Sequence, residues 1–151
     1  MKKRIYQTDT SSKTGNCLPA CIASMFDFPL ESIPNFILSG RYWRQSYYEF
    51  LRNNNIGVIF IPVTGKNFKW FLEANQNLET YCICSVESFT HKDVLHAVVG
   101  RLYNGVLEVI HDPNPNNVEL ADKEYRVQEI DLFFSITAEN QNWKNDFRLP
   151  A

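Results

Sequence analysis

Residues 1 to 16 are polar and rich in Ser, Thr, Asp and Gly, the pattern of a strand end or extended arm running into a loop. At Cys17 the pattern changes. Leu18, Cys21, Ile22, Met25 and Phe26 recur at helical spacing, Pro19 falls in a first turn where its missing N–H costs no hydrogen bond, and Pro29 follows the end. This predicts a helix over residues 17 to 26 with Asn16 as its N-cap. Tyr42 to Asn54 predicts a second helix, with Trp43, Tyr47, Phe50 and Leu51 on one face and an Asn-rich, Gly-containing close. Phe68 to Ala74 predicts a third, shorter one.

Strand-like apolar runs occupy residues 57 to 63, 81 to 86, 96 to 103, 106 to 111 and part of 125 to 136. Asn104 and Gly105 stand between two of them, a strong short hairpin signal, so the strands on either side are antiparallel neighbours. In that hairpin, residues whose numbers sum to about 209 face one another. Helices first and a mostly antiparallel sheet second make an α+β layout with a natural cleft between the halves.

Composition narrows the picture. The 151 residues suit one domain, residues 1 to 151, and 44% hydrophobic with 14% aromatic content argues against disorder. A net charge of −2, with Lys and Arg dispersed among acids, gives no footprint for nucleic acid or an anionic membrane. No run approaches the roughly eighteen apolar residues of a membrane span, and the basic start at Met1 leads into polar residues rather than a signal core. The expectation is a cytoplasmic protein with no membrane or nucleic-acid partner, whose four cysteines stay reduced. Oligomeric state is not legible.

Candidate chemistry begins at Cys17. At the first turn of a helix the dipole and unpaired N–H groups favour the thiolate, and the same groups can receive an oxyanion. Position alone equally suits a small buried hydrophobe. His96 opens an apolar strand, where it reads as a satisfied structural histidine or as a base for Cys17. By the hairpin register His96 lies nearly opposite Pro113, with Asp112 one step away, so a small register shift or bulge brings that carboxylate to the imidazole. Asp112 also reads as an Asp-Pro turn cap.

The segment Gly15-Asn16-Cys17-Leu18-Pro19-Ala20-Cys21, the strand His96 to Gly100 and the segment Val109 to Pro113 resemble the papain-like cysteine peptidases. They are most similar to the compact double-glycine leader peptidase domains of bacteriocin exporters and to small phage-encoded papain-like proteins. The likeness spans residues 7 to 113. It implies a papain-like fold, N-terminal helices packed on a mostly antiparallel C-terminal sheet, and a Cys17, His96, Asp112 triad that hydrolyses an amide, peptide or isopeptide bond without a cofactor. It also implies that a glutamine before the nucleophile donates to the oxyanion. Gln7 alone is available, at a longer interval than the family's, and Asn16 is the competing donor; both read as loop or capping residues too. Exporter-linked relatives precede a membrane domain, so the expectation here is a free-standing enzyme, and the phage likeness points to a host or defence component as target.

Zinc is disfavoured by spacing: Cys82 and Cys84 form a single-spacer pair on a strand, and Cys17 with Cys21 lacks a partner motif. Cys21, Cys82 and Cys84 read as core, and His91 as a surface-loop residue. Helical spacing assigns Trp43, Tyr47 and Phe50 to the core, leaving Tyr42, Tyr48 and Trp70 as candidates for contact with a peptide or protein substrate. Two other functions stay open: a catalytically idle protein on the same fold that sequesters a host protein or nucleotide signal, and an acyl transferase using the same nucleophile.

Overall fold

The strands alternate in side-chain direction with period two, and both faces of the sheet they build are covered, so buried positions run consecutively through Cys82, Ile83 and Cys84. The computed structural model describes residues 1, 3–117 and 124–136. Residues 118–123 and 137–151 of the expected single domain lie outside that description. Three α-helices, α1 (Cys17–Phe26), α2 (Trp43–Asn53) and α3 (Gly65–Ala74), combine with five strands: β1 (Ile56–Pro62), β2 (Thr80–Glu87), β3 (Leu95–Tyr103), β4 (Val106–His111) and β5 (Val127–Ser135). The fold class is α+β. The strands form one antiparallel sheet of order β1-β5-β2-β3-β4.

Two apolar clusters lie on opposite faces. On one, Ile83, Ala97 and Val99 pack with Cys21, Ile22 and Ala23 of α1 and with Tyr47 and Leu51 of α2. On the other, Cys82, Cys84, Val98 and Ile130 pack with Phe68, Phe71 and Leu72 of α3. The first two helices therefore rest on one face, as the helix-then-sheet pattern implies, while α3 covers the opposite face.

Helix α1 is buried from Pro19 through Ser24. Ser24 explains how a polar residue is tolerated there: its hydroxyl accepts from the Ile5 N–H at 2.8 Å and donates to the Ala20 carbonyl at 2.9 Å. The helix ends where Asp27 turns left-handed at φ 61° and returns its N–H to Ala23. The 3₁₀ turns at Leu30–Ser32 and Phe36–Tyr42 were not legible in the sequence, having too few residues for periodicity to register. Among the described residues no helix is long and apolar enough to cross a membrane.

The β3–β4 hairpin turns through Asn104 and Gly105, both at positive φ, and keeps the expected register from Tyr103↔Val106 to Gly100↔Val109. It then slips by one between Gly100 and Val99, which pairs with His111.

Candidate active site

The loop before α1 closes on itself so tightly that one position must be glycine. A Cβ on Gly15 would stand 2.4 Å from the Ser11 carbonyl oxygen, the same oxygen that accepts the Gly15 N–H at 3.0 Å. Asn16 follows as the N-cap residue, as expected, its carbonyl accepting from the Ala20 N–H at 3.1 Å, but its side chain makes no cap hydrogen bond. Its amide reaches back instead: Oδ1 accepts from the N–H groups of Thr8 and Asp9, both at 3.0 Å, and Nδ2 donates to Thr8 Oγ1 at 3.0 Å. A side chain so committed holds the N-terminal arm. The arm is tied down further along, Gln7 N–H donating to the Pro113 carbonyl at 2.9 Å and His111 Nε2 bonding the Ile5 carbonyl at 2.8 Å.

These ties bring Cys17, His96 and Asp112 together. Cys17 is the first residue of α1, His96 the second residue of β3, and Asp112 the first residue beyond β4. His96 Nε2 lies 2.7 Å from Asp112 Oδ1, which leaves Nδ1 for the Cys17 sulfur. Burial pushes the Cys17 thiol up, but the hydrogen bond and charge of His96, with the N–H groups of Ala97 and Leu18, outweigh it and hold the thiol below its ordinary value. For His96, burial favours the neutral ring, yet Asp112 and Cys17 together raise it from 6.5 to about 9. Asp112 is kept below the usual carboxylate range against its own desolvation, chiefly by His96. Both shifts run toward a thiolate beside an imidazolium.

Asp112 is both turn cap and histidine partner. Its Oδ1 accepts from Asn114 N–H at 2.8 Å, while Oδ2 accepts from Asn117 Nδ2 at 3.0 Å and Tyr125 hydroxyl at 2.9 Å. With its side chain fully buried, these donors replace the water it has lost. Asn117 is one of several asparagines in the loop that follows Asp112 and nothing in the sequence set it apart, while the Tyr125 tie arises only when the segment leading into β5 comes back.

Two grooves meet at Cys17. One, of about 180 Å³, is walled by Leu18, Pro19, Phe36, Ile37, Trp43 and Ile83, with Asn35, Arg44, Ser85, Glu129 and Asp131 along it. The other is hydroxyl-rich, lined by Gln7, Thr10, Ser11, Ser12, Ser88, Thr90, His91, Asn114 and Asn117. His91, expected on a surface loop, is in the β2–β3 connection with its Nε2 3.3 Å from the Thr10 carbonyl. Gln7 is buried, its Nε2 donating to the Asp9 carbonyl at 2.7 Å and making no second hydrogen bond among the described residues. Trp43, expected in the core, is half-buried against the first apolar cluster and also lines the first groove. Tyr42, Tyr48 and Trp70 line neither groove: Tyr42 packs under Arg41, Tyr48 against Phe60, and Trp70 stands exposed on α3, the helix on the far face of the sheet.

Cys21, Cys82 and Cys84 are fully buried free thiols, and burial holds Cys21 well above its usual range. Among the described residues no three His, Cys, Asp or Glu converge so as to hold a metal ion. No protein-family model, curated protein or solved structure matches the chain.

Proposed function

We propose that this protein is a cysteine hydrolase of papain-like fold that cleaves an amide, peptide or isopeptide bond in a peptide or protein substrate. The observation that carries the reading is the linked set of Cys17, His96 and Asp112 at a helix start in a groove, with the thiol lowered and the imidazole raised to about 9. In the first step the Cys17 thiolate attacks the carbonyl carbon, the His96 imidazolium gives its proton to the departing amine, and a thioester is left on the sulfur. In the second, neutral His96 takes a proton from water, which attacks the thioester; the acid leaves and the thiolate–imidazolium pair returns. Asp112 fixes the ring and stabilises its charged form. The N–H groups at the start of α1 and the second N–H of Gln7 Nε2 suit the oxyanion of both steps.

Limiting iodoacetamide at pH 7, followed by peptide mass mapping of the native protein, tests the reading. Cys17 should be alkylated before Cys21, Cys82 and Cys84, and His96→Ala should slow that alkylation about tenfold or more by returning the thiol toward its ordinary value. Equal labelling of all four thiols, or no effect of the His96 change, would overturn it. Incubation with peptide mixtures then separates hydrolysis from acyl transfer, since transfer joins the acyl group to an added amine rather than to water.

A further inference from the structure

Among the described residues three buried side-chain polar atoms lack a hydrogen-bond partner: Gln7 Oε1, Asn35 Oδ1 and Asp131 Oδ1. All three belong to residues that line the two grooves meeting at Cys17. All three are acceptors. The amide orientations of Gln7 and Asn35 are fixed, because each NH₂ group donates to a carbonyl, Asp9 at 2.7 Å and Thr14 at 2.7 Å, and a flip would set oxygen against oxygen. Buried acceptors without donors are rare in folded proteins, and a cluster of them around one cleft calls for donors from outside the chain, from water, an ion or a ligand.

Asp131 is the strongest of the three. It is only 5% exposed, its Oδ2 accepts from the Tyr47 hydroxyl at 3.1 Å, and its Oδ1 has nothing. Burial, aided by the Glu129 charge and opposed only in part by Tyr47 and Arg44, raises its carboxyl to about 7. The nearby cation lowers that carboxyl through its charge without hydrogen bonding to it: Arg44 Nη2 lies 3.1 Å from Glu129 Oε1, and its guanidinium rests over the rings of Trp43 and Phe60. A second carboxylate, Glu129, therefore stands in the same groove with its partner already found. The groove that holds both Asp131 and Cys17 has Leu18, Pro19, Phe36, Ile37, Trp43 and Ile83 in its walls, an apolar and aromatic surface that an alkyl stem covers well while its charged head seeks a polar group.

We propose that the Asp131 end of this groove is a subsite for a basic side chain, lysine or arginine, of the peptide acted on at Cys17. The proposal rests on the hydrolase reading for where the reacting bond lies, and on the groove alone for its choice of side chain. The ammonium or guanidinium N–H donates to Oδ1, which lies sealed at the groove floor; the terminal torsion of a carboxylate is soft enough to turn the oxygen outward. The pairing also relieves the cost of ionising a buried carboxylate.

The test uses the full chain carrying Cys17→Ala, immobilised and incubated with a random hexapeptide mixture, the retained peptides being sequenced. Lysine and arginine should be enriched at one position by about tenfold over apolar residues, the order given by one charge-assisted hydrogen bond to a buried carboxylate. In the Cys17→Ala, Asp131→Asn double variant that enrichment should vanish; asparagine matches aspartate in shape and still accepts from Tyr47. Retention of no peptides, enrichment of acidic residues, or basic enrichment that survives Asp131→Asn would each overturn the proposal. Because the variant has no nucleophile, its outcome is independent of the alkylation experiment. Basic enrichment together with unselective alkylation would remove the hydrolase reading and leave the subsite standing.

Discussion

Burial by itself would keep the Cys17 thiol and the Asp112 carboxyl uncharged, so the charges at this site exist only because each group answers the next. His96 is the middle member and feels both neighbours, which carries it to about 9. If kcat/KM requires the thiolate with a protonated His96, activity should rise as Cys17 loses its proton and fall as pH passes about 9 and His96 loses its own. Asp112→Asn removes a negative charge that favours imidazolium, so the alkaline limb should move toward the ordinary histidine value. The amide oxygen still accepts from Nε2, and measurable turnover should remain near neutrality. A pH–rate profile of this variant checks both points; complete inactivity, or an alkaline limb that stays in place, would argue that the carboxylate does something other than hold and charge His96.

At the scale of elements, the arm before α1 works as a part of the site although it is neither helix nor strand. Asn16 gives it three hydrogen bonds, and Gln7 rides on the segment thus held. Asn16→Ala should lower stability by about 0.5–1.5 kcal/mol through loss of its hydrogen bonds to Thr8 and Asp9, and kcat should fall more than KM rises because Gln7 loses its placement. Thermal melting read beside steady-state kinetics checks this, and a variant with unaltered melting and kcat would show the arm to be held by its other contacts. Much of this level was legible in sequence. The period of 3.6 from Leu18 to Phe26 marked α1, the Asn104-Gly105 turn marked β3 and β4, and register arithmetic brought Asp112 near His96. The rest was hidden for physical reasons. Asn16 has the composition of a cap, and only the tight loop closed by Gly15 turns its amide toward Thr8 and Asp9. An acid within the apolar run Val127 to Ser135 could have flagged Asp131, but which face it points to depends on pairing with β1 and β2, a long-range property. Helical spacing put Trp43 against the core, where it packs, and gave no sign that it also walls the groove, because spacing gives a face and says nothing of where that face leaves the core.

For the molecule as a whole, the order β1-β5-β2-β3-β4 places the last described strand in the interior of the sheet, between a strand from its first half and one from its middle. β1 pairs with β5 alone, across a sequence separation of up to 79 residues at Ile56↔Ser135, so neither β1 nor one edge of β2 is satisfied until β5 arrives. Such non-local pairing makes for slow folding with open strand edges. A chain ended at residue 126 should accordingly appear as aggregates in size-exclusion chromatography and lose preferential alkylation of Cys17; a soluble monomer that keeps that preference would show the triad to be independent of β5. During synthesis Cys17 leaves the ribosome early, His96 and Asp112 follow, and β5 with Asp131 comes after all of them. An unfinished chain thus carries its nucleophile without the strand that builds the acidic end of its groove. The topology acts as a clock: on the reading proposed above, the ability to choose a substrate arrives only when the sheet is closed.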